Sequence, residues 1–169
     1  EIVLNKGSRK GVYLGQPVLD AHGLVGQVIQ VAPDTSHVLL VTDSLSAIPV
    51  ENSRNGLRGI VAGRGQMDKI YLIHMSLTSD VKPGDLLVTS GLGEHFPFGY
   101  PVGTVESVNI GTGQEFATIV VAPKAHLNSS RLVLLIWPAE NNKTVDTAQE
   151  AETSQTITKK TAGKKTHGN

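Results

Sequence analysis

The most restrictive feature of this sequence is how often Gly and Pro interrupt its apolar runs. Over residues 1 to 138 a turn signal falls roughly every 8 to 12 residues, a spacing typical of short strands. No run keeps the apolar period of an amphipathic helix over three turns, so helical folds are excluded. The runs rich in Val, Ile and Leu are residues 24–31, 37–42, 47–51, 59–63, 69–75, 85–90, 101–108, 116–122 and 131–137. Many short strands at this spacing predict an all-β sandwich or barrel fold.

Charge and composition exclude several classes of function. The 15 Lys and Arg side chains balance 15 Asp and Glu, and a phosphate binder needs a clustered positive field, so no nucleic-acid partner is expected. The sequence has no Cys, which excludes disulfides and thiolate metal sites. No apolar run reaches the roughly 18 residues that span a bilayer. Because the chain enters a strand-like run directly from Glu1, we expect that a preceding segment, with any signal or membrane anchor, is missing.

The composition changes at Pro138. Residues 139–169 contain no aromatic side chain, and Val145 and Ile157 are their only large apolar residues. Such a segment buries too little apolar surface to offset the entropy lost on ordering. We therefore predict a β-rich body over residues 1–138 and a disordered C-terminal tail over residues 139–169.

Catalytic motifs are present only as fragments. His37, Asp43 and Ser90 occur in that order, as in a two-barrel serine hydrolase, but no glycine-rich loop flanks the serine. Ser79 and Lys82 match a Ser-x-x-Lys pattern that requires a helix, and Pro and Gly follow it at once. The prediction is a protein that is not an enzyme, and a degenerate two-barrel serine hydrolase is the alternative.

Charged residues and histidines give no cofactor motif. Asp80 and Asp85 flank a Pro-Gly turn and are interpreted as its caps rather than as an acid–base pair. Three arginines fall close together and are interpreted as a solvated strand face, with a small anionic contact as the alternative; they are Arg54, Arg58 and Arg64. The body histidines lack helical or strand metal-ligand spacing, and a metal site assembled in three dimensions is a second alternative. These are His22, His37, His74, His95 and His126.

One stretch combines glycine, proline and aromatic residues more densely than any other, namely TSGLGEHFPFGYPVGTV at residues 89–105. Its glycines suit backbone conformations or close approaches that a side chain would block, and its prolines stop strand pairing. The dinucleotide-binding interpretation fails, because Phe96 stands where that fingerprint has its third Gly. We predict a structural corner made by Gly91, Gly93, Phe96, Pro97, Gly99, Tyr100, Pro101 and Gly103.

The corner also takes part in an internal repeat. GQPVLDAHGLVGQV at residues 15–28 and GDLLVTSGLGEHFPFGYPVGTV at residues 84–105 share the order of Gly, apolar strand, Gly turn and Val-Gly-x-Val. A strand and corner used twice predict two related small β lobes. Chance similarity among Val- and Gly-rich strands is the alternative.

These segments, taken in order, resemble the MreC family of rod shape-determining proteins. The resemblance covers nearly all of residues 1–138, and its most specific element is GDLLVTSGLG followed by FPFGYPVG. Glu94 and His95 depart from the family pattern. Further matching segments are NKGSRKGVYLGQPV, GLVGQV, SHVLLVTD, IPVENSRNGLRGI and LVLLIW.

The resemblance implies two small six-stranded-type β-barrel lobes on the periplasmic side of the bacterial inner membrane, with the anchor in the missing N-terminal segment. It implies a non-enzymatic, cofactor-free scaffold of the cell-elongation machinery that self-associates and maintains cell shape. Implied partners are the class B elongation transpeptidase (a penicillin-binding protein), MreD and, through the complex, MreB. We expect nested lobes, residues 1–50 plus 104–138 and residues 51–103, with a sequential division as the alternative. The terminal run at residues 131–137 is apolar on both faces, so we expect it to be a central strand that returns to the core of the first lobe.

Within the corner, the three aromatic residues of FPFGY receive different interpretations. Phe96 and Tyr100 match positions of the family motif and are expected to pack into the lobe. Phe98 occupies a position that the motif leaves open. An exposed ring on a rigid Pro-Gly corner loses little entropy on docking, so Phe98 is the candidate partner contact.

Overall fold

The structure, a computed structural model, describes residues 1–110, 116–128 and 132–137; the predicted tail lies outside the described residues. Regular structure in this part of the chain consists of β-strands and two 3₁₀ turns at Ser8–Lys10 and Leu92–Glu94. The strands are β1 (Ile2–Leu4), β2 (Pro17–Leu19), β3 (Leu24–Val31), β4 (Ser36–Leu40), β5 (Ala47–Asn52), β6 (Arg58–Gly63), β7 (Ile70–Ile73), β8 (Leu86–Thr89), β9 (Pro101–Asn109), β10 (Thr118–Pro123) and β11 (Leu134–Leu135). The all-β prediction is confirmed. Neither 3₁₀ turn has the length or apolar character to cross a membrane.

The strands form two antiparallel sheets. The first has five strands in the order β1-β4-β3-β2-β11, and the second is a closed barrel of six strands in the order β10-β7-β6-β5-β8-β9. Closure leaves the barrel no free strand edge, whereas β1 and β11 are the edges of the first sheet. The second lobe thus has the predicted six-stranded barrel form, and the first lobe is a five-stranded sheet.

Strand membership differs from the predicted lobe boundaries near residues 50 and 104. The barrel takes β5 at Ala47–Asn52, β9 at Pro101–Asn109 and β10 at Thr118–Pro123. Of the described strands in the segment assigned to the first lobe from residue 104 onward, β9 and β10 therefore belong to the barrel, and β11 returns to the first sheet. The physical reason is closure, since β9 and β10 supply the pairings that join β8 to β7.

The repeated segments form two hairpins with the same register. In β2–β3, Val18 pairs with Gly26, and in β8–β9, Leu87 pairs with Gly103. In each hairpin the register shifts directly after that pair, at Val18 and at Leu87. A shared bulge position increases the local twist at the same place in both hairpins. The sequence repeat therefore corresponds to a repeated strand arrangement.

Two hydrophobic clusters stabilise the fold, and the β2–β3 hairpin contributes to both. Val18 and Val25 lie in the cluster of the first sheet, whereas Leu19 and Leu24 lie in the cluster that fills the barrel. Successive side chains on a strand point to opposite faces, so one hairpin can pack in two directions. This explains why the hairpin is apolar on both faces.

The terminal strand is shorter and more peripheral than the sequence suggested. Residues 131–137 are apolar on both faces and predicted a central strand, but β11 is an edge strand of two residues. Leu132 is 87% exposed and Leu134 is 61% exposed. The prediction of a central strand was wrong, because β11 pairs with β2 alone among the described strands and therefore ends the first sheet.

Candidate functional site

The corner is organised around the buried side chain of Thr89 at the end of β8. Its hydroxyl donates to the carbonyl oxygen of Pro97 at 2.5 Å and accepts from the N–H of Tyr100 at 2.9 Å. Its backbone carbonyl accepts from the N–H of Gly99, and its N–H donates to the carbonyl of Tyr100. One threonine thus fixes both sides of the loop. The sequence signal for it, a Thr at a strand end before a Gly, is too common to single it out.

The corner glycines fall into two kinds. Gly91, Gly93 and Gly99 have φ angles of 71°, 76° and 94°, in the left-handed region where a side chain is strained. Gly103 lies in β9, and a Cβ there would lie 2.5 Å from Val121 Cγ1 and 2.6 Å from the carbonyl oxygen of Ala122. The first kind turns the chain, and the second lets β10 pass closely.

The aromatic side chains of the corner differ sharply in exposure. Phe96 is 5% exposed and belongs to the barrel cluster, and it lines a cavity of about 130 Å³ together with Gly26 and Leu39 of the first sheet. Tyr100 is half-buried against the same cluster. Phe98 is 65% exposed. The corner therefore places one ring at the junction with the first sheet and presents another to solvent.

The three residues of the hydrolase alternative, His37, Asp43 and Ser90, each make a hydrogen bond to a different partner outside the set. The His37 Nδ1 contacts the Glu1 carboxylate, and Asp43 Oδ1 accepts from the N–H of Leu45 at 3.0 Å. The Ser90 hydroxyl accepts from the N–H of Leu92. No hydrogen bond links any two of His37, Asp43 and Ser90 in the part of the chain that the structure describes. The Ser79–Lys82 segment is irregular and not helical, and it leads directly into the turn at Pro83 and Gly84.

An ion-pair network joins the β5–β6 turn to the loop before β8. The Asp85 carboxylate, 6% exposed, accepts from Arg54 Nε at 2.7 Å, from Asn52 Nδ2 at 2.7 Å and from the N–H of Lys82 at 2.9 Å. Arg54 Nη1 also donates to Asp80 at 2.8 Å. The hydrogen bonds from Arg54 hold the pKa of Asp85 well below its usual range and lower that of Asp80 to about 2. The turn-cap interpretation fits Asp85, whereas Arg54 is an ion-pair residue rather than part of a solvated face.

A groove on the outer wall of the barrel is a feature that the sequence did not indicate. It has a volume of about 540 Å³ between β7 and β10. We call it the barrel-wall groove, and it is lined by Arg64, Tyr71, Ile73, His74, Phe116 and Thr118. It was missed because its members come from sequence-distant strands and none forms a local motif.

The histidines do not assemble into a metal centre in residues 1–110, 116–128 and 132–137, where no group of three or more His, Asp or Glu is placed to hold an ion. His22 and His126 stack with ring centroids 4.0 Å apart. The carboxylate of Asp20 accepts hydrogen bonds from the backbone N–H of His22 at 2.8 Å and from the backbone N–H of His126 at 2.7 Å. This arrangement ties the β2–β3 turn to the segment after β10.

The fold defines a class of two-lobed all-β domains, in which one chain builds a five-stranded sheet and a closed six-stranded barrel. A family model described as "Rod shape-determining protein MreC, barrel core" matches residues 1–137. The chain belongs to the MreC family, and the resemblance seen in the sequence is confirmed.

Named relatives give the same result. The chain is 46% identical over 142 residues to the cell shape-determining protein MreC of Escherichia coli K12, covering 84% of this chain and 39% of that protein. The corresponding protein of Haemophilus influenzae is 46% identical over 139 residues, covering 82% of this chain and 40% of that protein. The chain thus spans about two fifths of the length of these curated relatives.

Solved structures share the fold. The crystal structure of MreC from Pseudomonas aeruginosa is 51% identical with a TM-score of 0.77, covering 80% of this chain and 88% of that chain. A complex between penicillin-binding protein PBP2 and MreC from Helicobacter pylori contains a chain that is 20% identical with a TM-score of 0.56, covering 70% of this chain and 74% of that chain. The second likeness shows the fold alone.

Proposed function

We propose that this chain is the extracytoplasmic β-domain of a non-enzymatic scaffold in the bacterial cell-elongation machinery, where it binds cell-wall synthesis enzymes and maintains cell shape. The observation that carries the proposal is the family match over residues 1–137. The family's name and the shape-determining function of its curated members support it. The Helicobacter pylori complex supports a penicillin-binding protein as the partner.

The proposed partners are the class B elongation transpeptidase, MreD and, through the complex, MreB. The proposed location is the periplasmic side of the inner membrane, with anchoring through an N-terminal segment before Glu1. These assignments rest on the family match over residues 1–137.

Phe98 is the proposed anchor residue of one partner surface. Its ring is 65% exposed, while the backbone on both sides of it is held by Thr89 through Pro97 and Gly99. A rigid, exposed aromatic side chain loses little conformational entropy on docking and buries much apolar area. Leu92 of the same corner is also partly exposed, at 47%.

Self-association is proposed through the first sheet. Within the described ranges, the outer edges of β1 and β11 have no neighbouring strand, so their backbone groups can pair with a strand of a second copy. The barrel has no such edge because it is closed. We expect weak association, with a dissociation constant of about 10 to 1,000 micromolar, that is roughly 4 to 7 kcal/mol. Analytical ultracentrifugation tests it, and a strictly monomeric chain at millimolar concentration would contradict it.

Calorimetric titration of the full chain with the extracytoplasmic region of the elongation transpeptidase tests the proposed function. We expect saturable binding by the wild type and weaker binding by Phe98→Ala. The matched control is Leu14→Ala, a 69% exposed leucine in the first lobe. Absence of any binding by the wild type would contradict the transpeptidase assignment. Labelling of Ser90 by a serine-reactive probe would instead favour the hydrolase alternative.

A further inference from the structure

We propose that the barrel-wall groove binds a segment of a partner protein in which an apolar side chain lies next to a carboxylate. The inference rests on the proposed scaffold function and specifies the chemistry of one contact that the scaffold makes. The volume of about 540 Å³ falls within the roughly 300 to 1,000 Å³ typical of sites that enclose a ligand.

The floor of the groove is the outer face of two paired strands. Leu72 on β7 pairs with Ile119 on β10, and both side chains are buried in the barrel. Tyr71, Ile73 and Thr118 alternate with them and therefore face outward, where they are half-buried. From residue 71 to residue 74 the strand extends about 10 Å, which matches about three residues of an extended partner.

At one end of the groove lies the positively charged side chain of Arg64, which its neighbours hold in position. The Arg64 guanidinium lies over the ring of Tyr71, with Cζ 4.0 Å from the ring centroid. The Tyr71 hydroxyl donates to Gln66 Oε1 at 2.7 Å, which holds the ring in place. No acidic side chain pairs with Arg64 within the described ranges, whereas Arg9, Arg54 and Arg58 all have carboxylate partners there. Arg64 is thus held in position with its hydrogen-bond donors available to a carboxylate.

The other end of the groove is aromatic and strained. The Phe116 ring is 49% exposed and meets the His74 ring edge-on, with centroids 6.0 Å apart. His74 has a φ of 58°, the only positive φ of a non-glycine residue in the part of the chain described here. Such conformations cluster at functional sites, because the surrounding structure must hold them in place. An exposed ring at this end suits an apolar side chain of the partner.

The groove cannot be filled by strand addition, because β7 and β10 already pair with neighbours on both sides in the closed barrel. A partner must therefore contact β7 and β10 through its side chains, which lie over the outer face of the two strands. An apolar group over Phe116 and a carboxylate at Arg64 satisfy both ends at once, and an uncharged apolar segment would leave the arginine desolvated without a partner. Charge complementarity therefore favours an acidic, apolar segment.

The test has a peptide arm and a protein arm, both with the full chain. In the first, the isotope-labelled chain is titrated by NMR with Ac-Ala-Phe-Glu-Ala-NH2 and with its Gln counterpart. We expect shifts at Tyr71, Thr118 and Phe116, and about tenfold weaker binding by the Gln peptide, the size of one charge-assisted hydrogen bond. Equal affinity for both peptides, or shifts away from the groove, would overturn the inference.

In the protein arm, Arg64→Gln is compared with wild type for binding to the extracytoplasmic transpeptidase region, with Arg9→Gln as the matched control. We expect an about tenfold loss only for Arg64→Gln, partial recovery with Arg64→Lys, and weaker wild-type binding at high salt. Unchanged binding by Arg64→Gln would overturn the groove assignment and leave the proposed function intact. Absent binding by wild type would count against the proposed function, and the peptide arm would still decide the groove. Reduced self-association of Arg64→Gln with unchanged transpeptidase binding would identify a second copy as the occupant and overturn the inference.

Discussion

The hydroxyl of Thr89 donates a hydrogen bond to the carbonyl oxygen of Pro97 at 2.5 Å, across the base of the corner. The Thr89 hydroxyl oxygen also accepts from the N–H of Tyr100, so the two residues flanking Phe98 and Gly99 are held by one side chain. A loop that is rich in glycine is thereby made rigid. The exposed Phe98 ring depends on this support for its position.

Replacing Thr89 by Val keeps the shape of the side chain and removes the hydroxyl. We expect a loss of about 1 to 3 kcal/mol in the free energy of unfolding, because a backbone donor and a backbone acceptor lose their partner. Thr89→Ser, which keeps the hydroxyl, is the control and should cost only about 1 kcal/mol for one buried methyl. Urea denaturation measures both. Equal destabilisation by Val and Ser would show that the hydroxyl does not hold the corner.

The two phenylalanines of the corner should behave in opposite ways. Phe96→Ala removes a buried ring and should cost about 3 to 5 kcal/mol of stability. Phe98→Ala should change stability by less than about 0.5 kcal/mol, since the ring is mostly in solvent. Denaturant melts beside a binding titration of each variant check this. A badly destabilised Phe98→Ala, or normal binding by it to the transpeptidase and to a second copy, would exclude the anchor role.

Gly99 and Gly103 should respond differently to the same two substitutions. At Gly99 the φ is 94° and a Cβ would meet open space, so Ala should cost about 1 to 2 kcal/mol and Asn less, because Asn tolerates the left-handed region. At Gly103 a Cβ would contact Val121 and Ala122, so Ala should cost about 2 to 3 kcal/mol and Asn more. Urea melts of the four variants give the two rank orders. If Ala and Asn had the same order of stability cost at both positions, Gly99 and Gly103 would not be required for different reasons, one for its positive φ and the other for the close approach of β10.

The Arg54–Asp85 pair should make stability depend on pH. The pKa of Asp85 is depressed in the folded chain, so its contribution is complete above the ordinary carboxyl pKa of about 4 and is lost as the pH falls below that value. Arg54→Gln should lower the free energy of unfolding at pH 7, and that free energy should then fall less steeply between about pH 4 and 2 than in the wild type. Arg58→Gln, which breaks the more exposed pair with Glu51, is the control and should leave the slope unchanged. Denaturant melts across this pH range measure it, and an unaltered slope in Arg54→Gln would contradict the role of the pair.

Local sequence was a good guide to strands and to the corner. Alternating apolar residues, as in β3, and Gly-Pro clusters between runs reflect interactions within a few residues of the chain. The burial of Phe96 was expected from the family motif, which includes this position and leaves position 98 open; Phe96 is 5% exposed and Phe98 is 65% exposed. The repeat of residues 15–28 at 84–105 predicted two related β lobes, and the structure shows the repeated segments as two hairpins with matching register.

Ion pairing and the groove could not be predicted in this way. Arg54 and Asp85 are 31 residues apart, and their pairing requires the β5–β6 turn to meet the loop before β8. The barrel-wall groove requires β7 beside β10, with Phe116 brought next to His74. Both are contacts between elements that are far apart in the sequence, and no local sequence pattern predicts which of them meet.

The sequence by itself determined that the chain is built of short strands joined by glycine and proline turns, that it resembles the MreC family, and that a Gly- and Pro-rich corner lies within residues 89–105. All three follow from local conformational preference and from motifs in fixed register. Only the tertiary structure decided that β5, β9 and β10 close a barrel, that β11 is an edge among the described strands, and that β7 lies beside β10. The reason is that a strand's pattern defines its two faces, whereas its hydrogen-bonded neighbours are chosen by the pairing that closes the sheet as a whole.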